Sequence, residues 1–188
     1  MLYHSTTLFI LEKIKEYYLD AVNQKNLEYT SFKELSMPPP KNESFSLLKG
    51  GKDTYFYIQT FMECFEKNYD DVFTYNVRNK FKVEISKNIF RNHTVSFKKN
   101  KFISKVLKNN RNLYIFYIVD CIKYPQEIWK YNDGKNKMNF LSRYANGIEV
   151  IAVFEEHKLC FTGVSAYQTK YPNYLEKQRV GNRIYVKI

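Results

Sequence analysis

The feature that most constrains the fold is a train of five strand-length segments in the C-terminal half of the chain. They lie at about 127–131, 138–144, 148–154, 158–165 and 183–187. β-branched and aromatic residues dominate them, and several alternate apolar with polar positions, the period of a half-buried strand. Between the first four the breaks are short: Asn132-Asp133-Gly134, Asn146-Gly147 and the polar Glu155-Glu156-His157. Asn and Gly accept the positive φ of tight hairpins. Connections this short join only antiparallel neighbours, because a parallel pair needs a crossover of a dozen or more residues. The expected C-terminal architecture is therefore an antiparallel meander.

Upstream of it the period changes. In 6–24, Leu11, Ile14, Tyr18 and Val22 recur at three- and four-residue spacing, an amphipathic helix that Ser5 or Thr6 can cap. Residues 36–52 contain three consecutive prolines and end on Gly50-Gly51, which predicts a loop. Ile58, Phe61, Met62 and Phe65 give a second helical stripe within 54–69. Phe81, Val83 and Ile85 alternate with Lys80, Lys82 and Glu84 as a half-buried strand, and helical spacing returns at 99–110. Residues 113–124 fit either a buried strand, by their β-branched and aromatic content, or a helix ended by Pro125. The expected class is α+β: N-terminal helices followed by a bent antiparallel sheet. The expected division is a helix and Pro-rich linker at 1–50 and a folded domain at 51–188.

A hydrophobic content of 44% in 188 residues supports a real core. The longest apolar run, 114–119, is far too short to span a bilayer. The first residues lack a basic n-region and a small-residue cleavage site, so no signal peptide is expected. Cys64, Cys121 and Cys160 are odd in number and fit no C-x-x-C pattern. They read as thiols in a reducing, cytoplasmic compartment, with neither a disulfide framework nor a zinc site. The 17 Tyr and 15 Phe suit a base-stacking surface, but an AT-rich genome gives the same bias.

Charge is more informative. The chain carries a net +11, unevenly: residues 1–75 hold 8 basic and 11 acidic side chains, and residues 76–188 hold 22 and 8. A C-terminal region of net +14 is suited to a polyanion, with RNA or another nucleic acid as the expected partner. No strongly basic amphipathic helix points to a membrane surface.

No Gly-rich phosphate loop, G-x-S-x-G or H-E-x-x-H pattern occurs, which argues against nucleotide-driven, serine-hydrolase and zincin chemistry. His93 is followed by Lys98, Lys99 and Lys101, with Arg91 before it. An imidazole among phosphate-binding cations is what metal-free RNA cleavage requires, although a histidine with no catalytic role fits the same pattern. Glu156-His157-Lys158, with Asp133 upstream, has the E-x-K spacing of metal-dependent nucleases but falls on an expected turn. Thr162, Ser165, Tyr167, Thr169, Lys170, Tyr171, Arg179 and Arg183 form a second cluster of hydroxyls and cations able to position a phosphate. A charged, solvated sheet edge is the plainer alternative. Arg143 is placed on the same side as Leu141, either paired or lining a cleft. Trp129 and Tyr131 can stack an unpaired base, or Trp129 can simply be core.

The succession YPQEIW, a turn, NFLSRY, IEVIAVF, KLCFTGVSAY and YLEKQRVGNRIY resembles the phage-associated branch of the barnase–EndoU–colicin–RelE-like nucleases over roughly residues 90–188. That resemblance implies a BECR-like fold in which 113–124 is helical before a strongly bent sheet, and a metal-independent, toxin-like endoribonuclease without a cofactor. A toxin of this kind also implies an inhibitory protein partner. The implied roles are His93 as general base or acid, Arg143 and Arg179 as phosphate clamps, and Thr162 and Tyr167 as positioning groups. With no second well-placed histidine, Tyr167 or a lysine would have to be the partner acid. Lys98, Lys99, Lys101, Trp129, Arg143, Lys170 and Arg183 complete the expected nucleic-acid contacts. The rival readings are an inert nucleic-acid-binding module, a metal-dependent nuclease, and a protein-docking domain.

Overall fold

The computed structural model describes residues 37–90, 107–157, 160–169, 171 and 174–187. The compact unit they form runs over Pro38–Ile188. Its element order is α1 (Thr54–Glu63), β1 (Val72–Val77), β2 (Phe81–Ser86), α2 (Ile115–Lys123), β3 (Glu127–Asn132), β4 (Asn136–Arg143), β5 (Glu149–His157), β6 (Cys160–Thr169) and β7 (Asn182–Val186). The expected helix at 6–24 lies outside the described residues.

The α+β class holds, in the form of one curled seven-stranded sheet of order β1-β2-β6-β5-β4-β3-β7. β3 to β6 form the expected antiparallel meander. The rest corrects it. β7 turns back to pair with the far side of β3, and the β1–β2 hairpin joins β6 in parallel at Val83–Phe161 and Glu84–Thr162. β1 was not anticipated. Phe73, Tyr75 and Val77 alternate with more exposed neighbours, and Arg78 and Asn79, at φ 52° and 55°, make the left-handed turn into β2. Glu155, Glu156 and His157 were expected at a hairpin tip but complete β5.

One face of the sheet buries the core. Tyr57, Phe61 and Met62 of α1 and most of α2 pack with Ile85, Phe140, Val150 and Phe154. Each such side chain contributes about 1.5–3 kcal/mol by leaving water. Asp53 caps α1 by accepting a hydrogen bond from the Phe56 amide at 2.8 Å. α2 resolves the ambiguous 113–124 in favour of the helix. Ile115, Tyr117, Ile118, Val119, Cys121 and Ile122 are all buried, so tertiary packing overrides their strand propensity. The stripe read over 54–69 stops at Glu63. Helical spacing at 99–110 is described only at its end, where Asn109 and Asn110 have φ of 55° and 57°; an α-helix does not continue through two left-handed residues.

The Pro-rich segment is irregular, as expected, but it is part of the folded unit and not a linker to it. Lys41 forms a parallel bridge with Tyr144, and its ammonium reaches Asp120 at 2.5 Å. Gln126 donates to the Pro39 carbonyl at 2.6 Å. The unit therefore starts near residue 38, twelve positions before the expected boundary at 50.

Candidate functional site

Strand register arranges the outer face of the sheet, opposite the helices, in cross-strand rows. One row runs Glu127, Leu141, Ile151, Tyr167, and the next runs Trp129, Asn139, Val153, Ser165. A third carries Arg143, Glu149 and Thr169. A strap, residues 174–179, is pinned across this face from β6 to β3. The Tyr174 hydroxyl lies 3.5 Å from that of Tyr167, and the Leu175 amide donates to Glu149 at 3.3 Å. Asn139 donates to the Gln178 carbonyl at 2.9 Å, and Arg179 meets Glu127.

That last contact is the best-matched charge on the face. Arg179 binds Glu127 in a two-pronged fork at 2.9 and 3.0 Å, Arg183 adds a bond at 3.0 Å, and the Trp129 indole N–H donates a fourth at 3.0 Å. Glu127 is 1% exposed and Arg179 3%, so the pair is desolvated; its mutual matching is what makes it tolerable. The Arg179 guanidinium also lies over the Trp129 ring, 5.2 Å from its centroid. Two consequences correct expectations. Trp129 is 1% exposed and its ring faces Arg179, so it offers no surface to an unpaired base. Arg179 is committed to Glu127, and Arg183 shares that carboxylate while keeping more of its side chain in solvent. The approach of β7 to β3 depends on Gly181, at φ 76°, where a Cβ would meet the Lys130 carbonyl oxygen at 2.3 Å.

The β6 end of the strap is built differently. Tyr167 stands beside Tyr174, and Arg111 lies over the Tyr167 ring with its guanidinium carbon 4.9 Å from the centroid. Burial holds the Tyr167 phenol well above its ordinary value, with the contact to Tyr174 acting in the same sense. Tyr167 is therefore a proton donor through neutral pH and no source of negative charge. Arg111 comes from the 3-10 segment Lys108–Tyr114, which the Gln168 side chain holds against β6 by donating to the Asn109 carbonyl at 2.7 Å.

The remaining expected site residues are dispersed. Thr162 donates to Glu84 at 3.1 Å, at the parallel junction with β2. It is five strand residues, about 16 Å, from Tyr167, so the two do not act on one atom. Arg143 donates to the Pro38 carbonyl at 3.1 Å and faces Glu149 across the strand pair. Glu149 is nonetheless raised, because burial outweighs the Leu175 amide and Arg143. Tyr171 is exposed. His93, Lys98, Lys99, Lys101 and Lys170 lie outside the described residues. The segment that bears His93 does have described flanks: Ile89, just before it, packs against Gly163, and Asn109, just after it, is bonded to Gln168. Both flanks thus sit on β6, Ile89 in the core against its early part and Asn109 at Gln168, next in sequence to Tyr167.

Sequence reasoning missed Arg111, Tyr174, Glu127 and Asn139. Only Arg111 had a local signal, the Asn109-Asn110 pair that makes the left-handed turn presenting it; the others depend on register across the sheet.

A family model described as phage-Barnase-EndoU-ColicinE5/D-RelE like nuclease2 matches residues 42–186. The chain belongs to this family. The match reaches well upstream of the resemblance read at 90–188 and takes in α1 and the β1–β2 hairpin. The chain is accordingly a nuclease of the barnase, EndoU, colicin and RelE type, with nucleic acid as its substrate class. No significant match was found among curated proteins or solved structures. Among the described residues no helix is long and apolar enough to cross a membrane.

Proposed function

We propose that this nuclease is a metal-independent, toxin-like endoribonuclease whose reaction takes place beside Tyr167 on the later half of β6. The observation that carries the reading is convergence. Tyr167 holds its proton, and the flanks of the segment bearing His93, Lys98, Lys99 and Lys101 are fastened to the same strand.

In this scheme His93 takes the proton from a ribose 2′-hydroxyl, and that oxygen attacks the adjacent phosphorus. The P–O5′ bond breaks, Tyr167 protonates the departing 5′-oxygen, and the products are a 2′,3′-cyclic phosphate and a 5′-hydroxyl. The lysines hold the nonbridging oxygens as charge develops. Thr162, Arg143, Lys170 and Arg183 contact the strand away from the reacting phosphate. A cytoplasmic enzyme of this activity calls for a protein inhibitor in the cell that makes it.

The test uses matched substrates. RNA should be cut and DNA of the same sequence left intact, because DNA lacks the attacking hydroxyl. The rate should rise with pH through about 6.5, where an ordinary imidazole loses its proton, and His93→Ala should lower it about 10²–10⁴-fold and abolish that rise. Equal cleavage of DNA, or an unchanged pH profile in His93→Ala, would remove the scheme.

A further inference from the structure

We infer that Arg111 forms a phosphate-binding subsite for the nucleic-acid strand next to Tyr167, a role that rests on the nuclease reading above. Arg111 is 8% exposed, and its Nε and Nη1 are buried with no hydrogen-bond partner. Among the described residues it makes no ion pair. The neighbours that act on it are two tyrosines, and Tyr167 is itself held protonated. Glu149 answers to Arg143 and the Leu175 amide, not to Arg111.

A buried guanidinium without a counter-charge is costly, and proteins ordinarily match one with a carboxylate. Here burial pulls Arg111 down from its ordinary value, yet a guanidinium stays charged even so. An anion supplied from outside resolves the imbalance. The unfilled donors suit phosphate oxygens, which arginine binds through planar, two-pronged contacts. The guanidinium carbon lies over the Tyr167 ring, 4.9 Å from its centroid, so a phosphate held by Arg111 is next to the residue assigned as proton donor and not on a remote surface. The Asn109 and Asn110 turn supports the same purpose: two residues in a left-handed conformation redirect the chain so that Arg111 reaches over β6.

The test compares the full-length protein with Arg111→Met, which keeps volume and removes charge, and Arg111→Lys, which keeps charge and removes the fork. Thermal unfolding is followed against inorganic phosphate, and binding of a 2′-O-methyl RNA, which cannot be cleaved by the 2′-oxygen route, is followed against salt. Phosphate should raise the melting temperature of the wild type and fail to do so for Arg111→Met, with Arg111→Lys between them. The slope of log K against log salt should fall by about 0.7 in Arg111→Met, the loss of one single-strand phosphate contact, with about a tenfold weaker affinity. Without phosphate, Arg111→Met should melt no lower than the wild type. An equal phosphate response in wild type and Arg111→Met, an unchanged salt slope, or a large fall in melting temperature would overturn the subsite and make Arg111 a structural residue. If the phosphate response depends on Arg111 but RNA is never cut, the subsite stands and the endoribonuclease reading falls.

Discussion

Arg179 and Arg111 are both buried on the outer face of one sheet, at opposite ends of one strap, yet only Arg179 has a carboxylate. Around Glu127, two guanidinium groups and an indole N–H meet two oxygens with full hydrogen bonding. Around Arg111 the partners are aromatic rings and hydroxyls, and two of its nitrogens are unfilled. The matched site fastens β7 and the strap to β3, so its charges are spent on the fold. The unmatched site is where the fold leaves charge for a ligand. In a protein with this much positive charge, counter-charge distinguishes an arginine that builds from one that binds better than burial does.

The comparison breaks most visibly at Glu127. Glu127→Ala leaves two neighbouring arginines without their carboxylate and should cost about 3–5 kcal/mol, read as a lower urea midpoint at unchanged m-value. Replacing Arg111 by Met should show no such loss. A Glu127→Ala variant as stable as the wild type would show that the matched cluster is not structural.

Gly181→Ala comes next. A Cβ there collides with the Lys130 carbonyl and the φ of 76° disfavours any other residue, so β7 must shift. The expected loss is about 2 kcal/mol or more, with the phosphate response of Arg111 retained because the change lies at the β3 end of the face. Loss of both together would mean that the two arginine sites form one unit.

The smallest effect is expected at Glu149. Its folded-state pKa is raised, chiefly by burial, so its charge opposes folding as pH rises through the carboxylate range. Glu149→Gln should therefore be slightly more stable than the wild type at neutral pH, and the gap should close as pH falls below that range. A gap of opposite sign would make Glu149 a working partner for a nearby arginine and narrow the contrast drawn here.

Local pattern made much of this fold legible. β3 to β6 were visible because alternation and Asn-Gly or Asp-Gly turns are encoded within a few residues. α2 was not decidable from propensity, since its β-branched residues are helical only when packed between α1 and the sheet. β1 carried a readable alternation in VFTYNV but is short and follows a polar turn. The site was less legible than the fold. Glu127 and Arg179 are 52 residues apart, and only the return of β7 and the strap brings them together. Trp129 illustrates the same limit. Its type suggested stacking on a base, but register places it under Arg179. Arg111 drew no notice because a lone arginine between asparagines looks like solvated loop until its missing counter-charge is seen.

The measurement that bears most directly on the account is digestion of mixed cellular RNA by the purified protein in excess EDTA, with analysis of the product ends. The account expects discrete fragments ending in 2′,3′-cyclic phosphate and beginning with a 5′-hydroxyl, formed about ten- to a hundredfold more slowly by Arg111→Met, the loss of one charge-assisted contact. Fragments that appear only when a divalent cation is restored, or that carry 5′-phosphates, would contradict it.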